Sequence, residues 1–103
     1  MRPVTLTTTD ASSVAKTSNY YRVCHAQVPA NIGFAVVVTG TVSYTVQHTF
    51  DDPDSASPVW FDHDDVASET TNQDGNYAFP CVAIRLRQAS GSGSCRMVLS
   101  QAG

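Results

Sequence analysis

Residues 34–50 alternate between apolar and polar positions more regularly than any other part of the chain. This period of two is typical of a β-strand with one buried face. Strands seldom exceed about 10 residues. We therefore expect a bulge or a bend between two sheets, and Gly40 is the residue best suited to it. The predicted core face consists of Phe34, Val36, Val38, Gly40, Val42, Tyr44, Val46, His48 and Phe50.

The segments before this strand also predict β-structure. Residues 3–9 and 20–28 are rich in β-branched and aromatic side chains, which favour strands. The polar, Ser/Thr-rich residues 10–18 between them predict a loop. A break with turn chemistry follows at residues 29–33.

The C-terminal part of the chain alternates in the same way. Residues 77–88 and 95–101 predict a β-hairpin that is closed by the Gly/Ser-rich residues 89–94. Asp74-Gly75, within residues 72–76, has the chemistry of a tight turn.

These patterns predict an all-β protein. With 103 residues, the chain matches one domain of about 100–200 residues. We expect a single antiparallel β-sandwich or jelly-roll-like barrel over residues 1–103. Residues 1–18 could form an N-terminal arm, and residues 51–76 form a long acidic loop.

Charge is distributed unevenly along the chain. Eight of the nine acidic residues lie within 51–74, and neither Lys nor Arg occurs between Arg22 and Arg85. This distribution argues against a nucleic-acid surface, which needs clustered basic side chains. The N-terminus lacks the apolar run of a secretory signal, and no apolar stretch is long enough to span a membrane. We therefore expect a soluble protein that is made inside the cell.

Candidate catalytic and metal-binding residues are few. Cys24, Cys81 and Cys95 have no CxxC spacing, so we interpret them as reduced thiols in the core. Cys24 and His25 are neighbours on a predicted strand, and their side chains would point to opposite faces. His48 is interpreted as a packing residue. We predict that the protein is not an enzyme and needs no cofactor.

Two alternatives concern residues 51–76. The carboxylates of this acidic loop could bind Ca²⁺, although their spacing is not that of an EF-hand. The other interpretations are a solvated acidic loop and a docking surface for a basic partner. Trp60, Phe61 and Tyr77 could form a sugar-binding platform or anchor the loop to the core. The predicted interface residues are Asp51, Asp52, Asp54, Trp60, Phe61, Thr39, Thr41 and Thr45.

Four runs of residues can be compared with a known family. They are 38–53 (VTGTVSYTVQHTFDDP), 60–63 (WFDH), 74–80 (DGNYAFP) and 83–86 (AIRL). These runs resemble small virion structural proteins of tailed bacteriophages. They cover roughly the last two thirds of the chain, in the order found in that family. Cys81 and Cys95 depart from the pattern, because ordinary strand residues are expected there.

The resemblance implies a β-sandwich component of the virion, without catalytic residues. We expect a capsid decoration or cement protein that stabilises the shell by bridging its subunits, assembled in the host cytoplasm. Its partners would be the major capsid protein or other virion proteins, and copies of the chain would form a homo-oligomer. The alternative is a head- or tail-fibre-associated module that binds a host receptor or glycan.

Overall fold

The computed structural model describes residues 4–22, 32–77 and 81–101. Within these ranges the secondary structure consists of nine β-strands and no helix. All strand pairs are antiparallel. The strands are β1 (Val4–Thr9), β2 (Lys16–Thr17), β3 (Tyr21–Arg22), β4 (Ile32–Thr39), β5 (Ser43–Thr49), β6 (Trp60–Asp62), β7 (Gln73–Tyr77), β8 (Ala83–Ser90) and β9 (Ser94–Gln101).

The strands form two sheets that pack face to face, which confirms the predicted all-β sandwich. Sheet A has the order β1-β9-β4-β7, and sheet B has the order β2-β8-β5-β6, with β3 also pairing to β8. Inward-facing side chains of both sheets form one core. Its largest fully buried side chains are Tyr44, Tyr77, Ile32, Ile84, Leu86, Met97 and Leu99.

The long alternating segment is divided between the two sheets at Gly40, as the sequence predicted. β4 belongs to sheet A and β5 to sheet B. Gly40 has φ +82°, a conformation that L side chains rarely adopt. The alternation continues across the bend, so Val36 and Val46 both face the core. Phe50 was expected on the core face but follows the end of β5 and is 54% exposed.

The predicted C-terminal hairpin is wrong. β8 lies in sheet B and β9 in sheet A, so residues 89–94 connect the two sheets instead of closing a hairpin. β9 pairs with β1 and β4, and β8 pairs with β2, β3 and β5. Gly91 has φ +101°, which allows the chain to change direction between the layers.

Three connections between the sheets lie side by side. The amide of Ala11 donates to the Gly91 carbonyl (2.8 Å), and the amide of Gly93 donates to the Thr41 carbonyl (2.9 Å). The amide of Asp10 donates to the Gly93 carbonyl (3.0 Å). These bonds satisfy backbone groups where the sheet ladders end. We call this region the glycine corner; it consists of residues 10–11, 40–42 and 91–93.

A buried glutamine supports the glycine corner. Gln88 is 0% exposed. Its Nε2 donates to the carbonyls of Gly91 and Gly93, both at 3.0 Å, and lies 3.4 Å from that of Ser90. Its Oε1 accepts a hydrogen bond from the Thr8 hydroxyl (2.9 Å). The side chain therefore links β1 to the connection between β8 and β9.

Residues 51–76 contain regular structure that the predicted loop did not include. β6 pairs with β5, and the following residues continue along the same edge. Val46 accepts a hydrogen bond from the amide of His63 (2.8 Å) and donates one to the carbonyl of Val66 (3.0 Å). Tyr44 and Glu69 form a β-bridge. These contacts arise because β5 has a free edge that the connection can pair with.

The predicted turn at Asp74-Gly75 is also wrong, because both residues lie within β7. Phe34 is directly opposite Gly75 in the register between β4 and β7. A Cβ at Gly75 would lie 3.0 Å from the Phe34 ring. The absence of a side chain at Gly75 thus makes room for the aromatic ring on the neighbouring strand. The residues next to Gly75 in the sequence do not indicate this role.

Several N-terminal expectations also need correction. Residues 4–9 pair with β9 as a regular strand of sheet A, so this part of the proposed arm belongs to the sandwich. The predicted loop over 10–18 contains β2. The expectations for Cys24, His25 and most of the predicted strand 20–28 lie outside the described residues. None of the described segments forms a helix that could cross a membrane.

Candidate functional site

The outward-facing side of sheet A carries mainly small, uncharged side chains. We call it the outer face. Its rows follow from the register: Thr5, Val98, Ala35 and Asp74 lie across one row, and Thr7, Arg96 and Val37 lie across the next. Of its described residues, only Asp74 and Arg96 are charged. A shallow depression of about 520 Å³ lies on this face and is lined in part by Thr7, Thr9, Val37 and Thr39.

A second concave site lies beside the ends of β5, β6 and β7. We call this cavity of about 450 Å³ the end pocket. It brings together aromatic rings, imidazoles and carboxylates from three separate segments of the chain. Its described lining residues are His48, Phe50, Phe61, Asp62, His63, Asp64, Asp65, Asn76 and Tyr77.

Three rings in edge-to-face contact form the inner wall of the end pocket. The ring of Tyr77 lies between the imidazoles of His48 and His63, with centroid distances of 4.9 and 4.8 Å. The Tyr77 hydroxyl and His48 Nδ1 form a hydrogen bond of 3.0 Å. All three side chains are at most 9% exposed. The wall is therefore a packed aromatic layer that continues the hydrophobic core.

Both ring nitrogens of His63 have hydrogen-bond partners. Nδ1 accepts from the backbone amides of Asp65 (3.1 Å) and Val66 (3.3 Å). Nε2 lies 3.0 Å from the carbonyl oxygen of Asn76. Because amides donate and carbonyls accept, the proton must reside on Nε2. His63 thus holds the connection between β6 and β7.

Burial affects the titrating groups of this wall. It lowers the pKa of His48, and the nearby His63 lowers it further, whereas the carboxylates of Asp64 and Asp62 act in the opposite direction. Burial also raises the pKa of the Tyr77 hydroxyl well above its ordinary value. Both changes favour the uncharged forms at neutral pH.

The burial of His48 predicts that stability falls as the solution becomes acidic. Its pKa in the folded state lies below the ordinary 6.5, so the unfolded chain takes up the proton more readily. The free energy of unfolding should therefore decrease as pH falls from about 7 through the ordinary histidine range, until the folded pKa is reached. Thermal melts between pH 7.5 and 5 would measure this slope. The variant His48→Gln should have a shallower slope, and an unchanged slope would contradict this role of His48.

The mouth of the end pocket is aromatic and acidic. Phe50 and Phe61 are 54% and 50% exposed, and their ring centroids are 6.2 Å apart. Phe61 also stacks on His48 at 6.0 Å. The exposed carboxylates of Asp64 and Asp65 lie beside these rings.

The predicted acidic interface residues are held mainly within the connection between β5 and β6. Asp51 accepts a hydrogen bond from the amide of Val59 (2.7 Å), and Asp52 accepts one from the amide of Asp54 (3.0 Å). Arg22 forms ion pairs with Asp52 (3.5 Å) and Asp54 (3.1 Å). These carboxylates shape the connection and tie it to β3, while remaining exposed.

The other predicted interface residues lie in different places. Trp60 is half-buried on the outside of sheet B, where the guanidinium of Arg85 stacks over its ring at 4.2 Å. Thr39 lies on the outer face and Thr41 is exposed at the glycine corner. Thr45 is only 7% exposed, because residues 66–69 cover it and the amide of Ser68 donates to its hydroxyl (2.9 Å). Phe61 is the member of the predicted set that lines the end pocket.

The structure does not bring the three residues of the proposed sugar platform together, and it shows no metal site among the described residues. Phe61 and Tyr77 meet in the end pocket, whereas Trp60 points to the other side of β6. In the described part of the chain, no group of three or more His, Cys, Asp or Glu residues is arranged to hold a metal ion. Cys81 and Cys95 are 1% and 2% exposed and belong to the core, as predicted.

Sequence reasoning missed the pairing of Phe50 with Phe61 and the structural role of His63. Alternation assigned Phe50 to the core. The signal that could have identified the site is the sequence Phe61-Asp62-His63-Asp64-Asp65, in which an apolar ring adjoins a histidine among carboxylates.

Neither a family model, a curated protein nor a solved structure matches the chain. The fold and the two surfaces define it as a small β-sandwich with two candidate contact regions.

Proposed function

We propose that the protein is a non-catalytic virion component of a tailed bacteriophage, a decoration or cement protein that attaches to the capsid shell through the outer face of sheet A. The observation that carries the proposal is the character of this face. The centres of protein interfaces are depleted of charged residues. The described outer face matches that composition, with Asp74 and Arg96 as its charged members.

The geometry of the outer face also suits docking. Val37 is 37% exposed near the middle of the sheet, with Ala35 two residues away on the same strand. Threonine side chains of β1 lie on one side of these residues, beyond β9, and provide hydroxyl groups that can exchange hydrogen bonds with a partner. A face of this composition can be buried repeatedly between neighbouring shell subunits, or between copies of the chain in a symmetric oligomer.

The proposal of a non-catalytic role is supported by the histidines of the end pocket. A general base needs a ring nitrogen within reach of the proton that it removes. Both nitrogens of His63 are already bonded to backbone groups. His48 is 8% exposed and its Nδ1 is bonded to Tyr77, so it also acts in packing.

A second candidate function is a head- or tail-fibre-associated module that binds a host receptor or glycan. The end pocket favours it, because two half-exposed phenylalanine rings and several carboxylates line a cavity of about 450 Å³. Ligand sites commonly combine aromatic walls with a few polar groups at such volumes.

Copy number in purified virions from the source of this sequence tests the first candidate. A shell decoration protein should be present on the order of hundreds of copies per particle, following the symmetry of the shell. Quantitative mass spectrometry against the major capsid protein would measure the ratio. A handful of copies would favour the fibre-associated module, and absence from purified particles would rule out both virion roles.

A further inference from the structure

The end pocket carries a concentration of negative charge that nothing in its described lining compensates. Asp62, Asp64 and Asp65 contribute carboxylates, and none of the described lining residues is Lys or Arg. Neither Lys nor Arg occurs between Arg22 and Arg85 along the chain. The charged ligand that such a site attracts is a cation.

The three carboxylates are not equally placed around the pocket. Asp62 lies on the same side of β6 as Trp60 and accepts a hydrogen bond from Gln47 Nε2 (2.9 Å) on the outside of sheet B. Asp64 and Asp65 are exposed residues of the pocket lining. They are therefore the carboxylates best placed to bind a cation that enters the pocket.

The aromatic rings at the mouth provide a second, independent feature. Phe50 and Phe61 lie with their rings at 63° to each other and about half of each side chain exposed. An exposed ring face attracts a cation, most effectively where carboxylates nearby also attract it.

A guanidinium group combines the properties that match this site. It is planar, it stacks on aromatic rings, and it donates paired hydrogen bonds to carboxylates. An ammonium group is more strongly hydrated and does not offer the same planar face. A cavity of about 450 Å³ accommodates the whole side chain of an arginine.

We infer that the end pocket is a binding site for the guanidinium group of an arginine side chain on a partner protein. The guanidinium stacks against the ring of Phe61, beside Phe50, and forms charge-assisted hydrogen bonds with Asp64 and Asp65. The buried rings of His48, His63 and Tyr77 form the inner wall behind it. This inference does not depend on the virion assignment, because it concerns the chemistry of the pocket alone.

The test uses the isolated protein and a minimal ligand, N-acetyl-arginine N-methylamide. Two-dimensional ¹⁵N NMR should show saturable shifts at the amides of Phe61, Asp64 and Asn76. Binding should weaken with added salt, because the charges lie near solvent. The citrulline analogue has the same shape without the charge, and it should bind at least about tenfold more weakly. Equal binding of arginine and citrulline would overturn the inference.

Matched variants locate the interaction. Asp64→Asn should weaken arginine binding about tenfold, and Phe61→Leu should weaken it while keeping an apolar side chain of similar volume. Asp74→Asn removes the same charge from the outer face and should leave the affinity unchanged. Equal losses for Asp64→Asn and Asp74→Asn would show unspecific attraction by net charge and would contradict the site.

Two further outcomes would also overturn the inference. One is the absence of saturable shifts with arginine in a protein whose spectrum shows the native fold. The other is saturable binding of neutral methyl glycosides at the same amides without binding of arginine, which would make the pocket a sugar site. Copy number in virions is measured separately, so failure of this inference and failure of the virion proposal are distinguishable.

Discussion

Replacing Gly91 with alanine is expected to lower the free energy of unfolding by about 3 kcal/mol or more, because the substitution adds backbone strain to a direct collision. Gly91 has φ +101°, and a Cβ there would lie 2.2 Å from the Thr41 carbonyl oxygen. The obstructing atoms belong to the backbone of the glycine corner, so they cannot rotate away as a side chain would. Chemical denaturation followed by circular dichroism would measure the loss.

Two other glycines provide graded controls. Gly40→Ala should lower the free energy of unfolding by less than Gly91→Ala does. Its φ of +82° is also strained for alanine, but the Cβ would come no closer than 3.2 Å to the Gly93 Cα. Gly33→Ala should change stability by less than about 1 kcal/mol, since nothing lies within 4 Å of its Cβ position. Equal stabilities for Gly91→Ala and Gly33→Ala would contradict the close approach at the corner. If Gly91→Ala does not fold, the order of Gly40→Ala and Gly33→Ala still tests it.

Gln88→Leu is expected to destabilise the protein by about 2–4 kcal/mol, because leucine fills the space but orphans buried polar groups. The Thr8 hydroxyl, in a residue that is 5% exposed, loses its amide acceptor and keeps only the weaker contact with the Cys95 thiol. The carbonyls of Gly91 and Gly93 lose one of their donors but keep the backbone bonds from Ala11 and Asp10. Most of the cost should therefore lie at Thr8 and in the packing around the amide.

A double-mutant cycle tests this explanation. Adding Thr8→Val to Gln88→Leu removes the orphaned hydroxyl and should recover part of the lost stability. Gln47→Leu is the matched control, since Gln47 is a half-buried glutamine on the outside of sheet B. It should cost less than about 1 kcal/mol. A double variant that is no more stable than Gln88→Leu would show that the Thr8 contact is not responsible.

The bend at Gly40 and the all-β class could be predicted because both depend on local signals. Alternation of period two identifies a half-buried strand, and one glycine at its centre marks the bend. The partners of each strand could not be predicted in the same way. β8 and β9 alternate as a hairpin would, but Gly91 leads the chain into the other sheet, where β9 pairs with β4. Such pairing depends on residues far apart in the sequence.

Distant contacts also explain the other errors. Asp74-Gly75 has the composition of a turn, but the Phe34 ring across the ladder determines its use in β7. The end pocket combines residues 48–50, 61–65 and 76–77, and no single segment contains the site. The sequence indicated Phe61 and Tyr77 as contact or anchor residues, whereas Phe50 was assigned to the core. Their arrangement depends on how β6 and β7 attach to opposite sheets.

Attachment of Val37→Asp to the capsid tests the central proposal most directly. The variant places a charge at the centre of the outer face, whereas Val59→Asp makes the same change at an exposed valine before β6. Thermal melts would first establish that both variants fold. Virions assembled with each variant would then be assayed for bound copies relative to the major capsid protein. The account predicts that far fewer copies of the Val37→Asp variant are bound to the virion, and that the Val59→Asp variant is bound at normal occupancy. Normal occupancy of Val37→Asp would contradict attachment through the outer face.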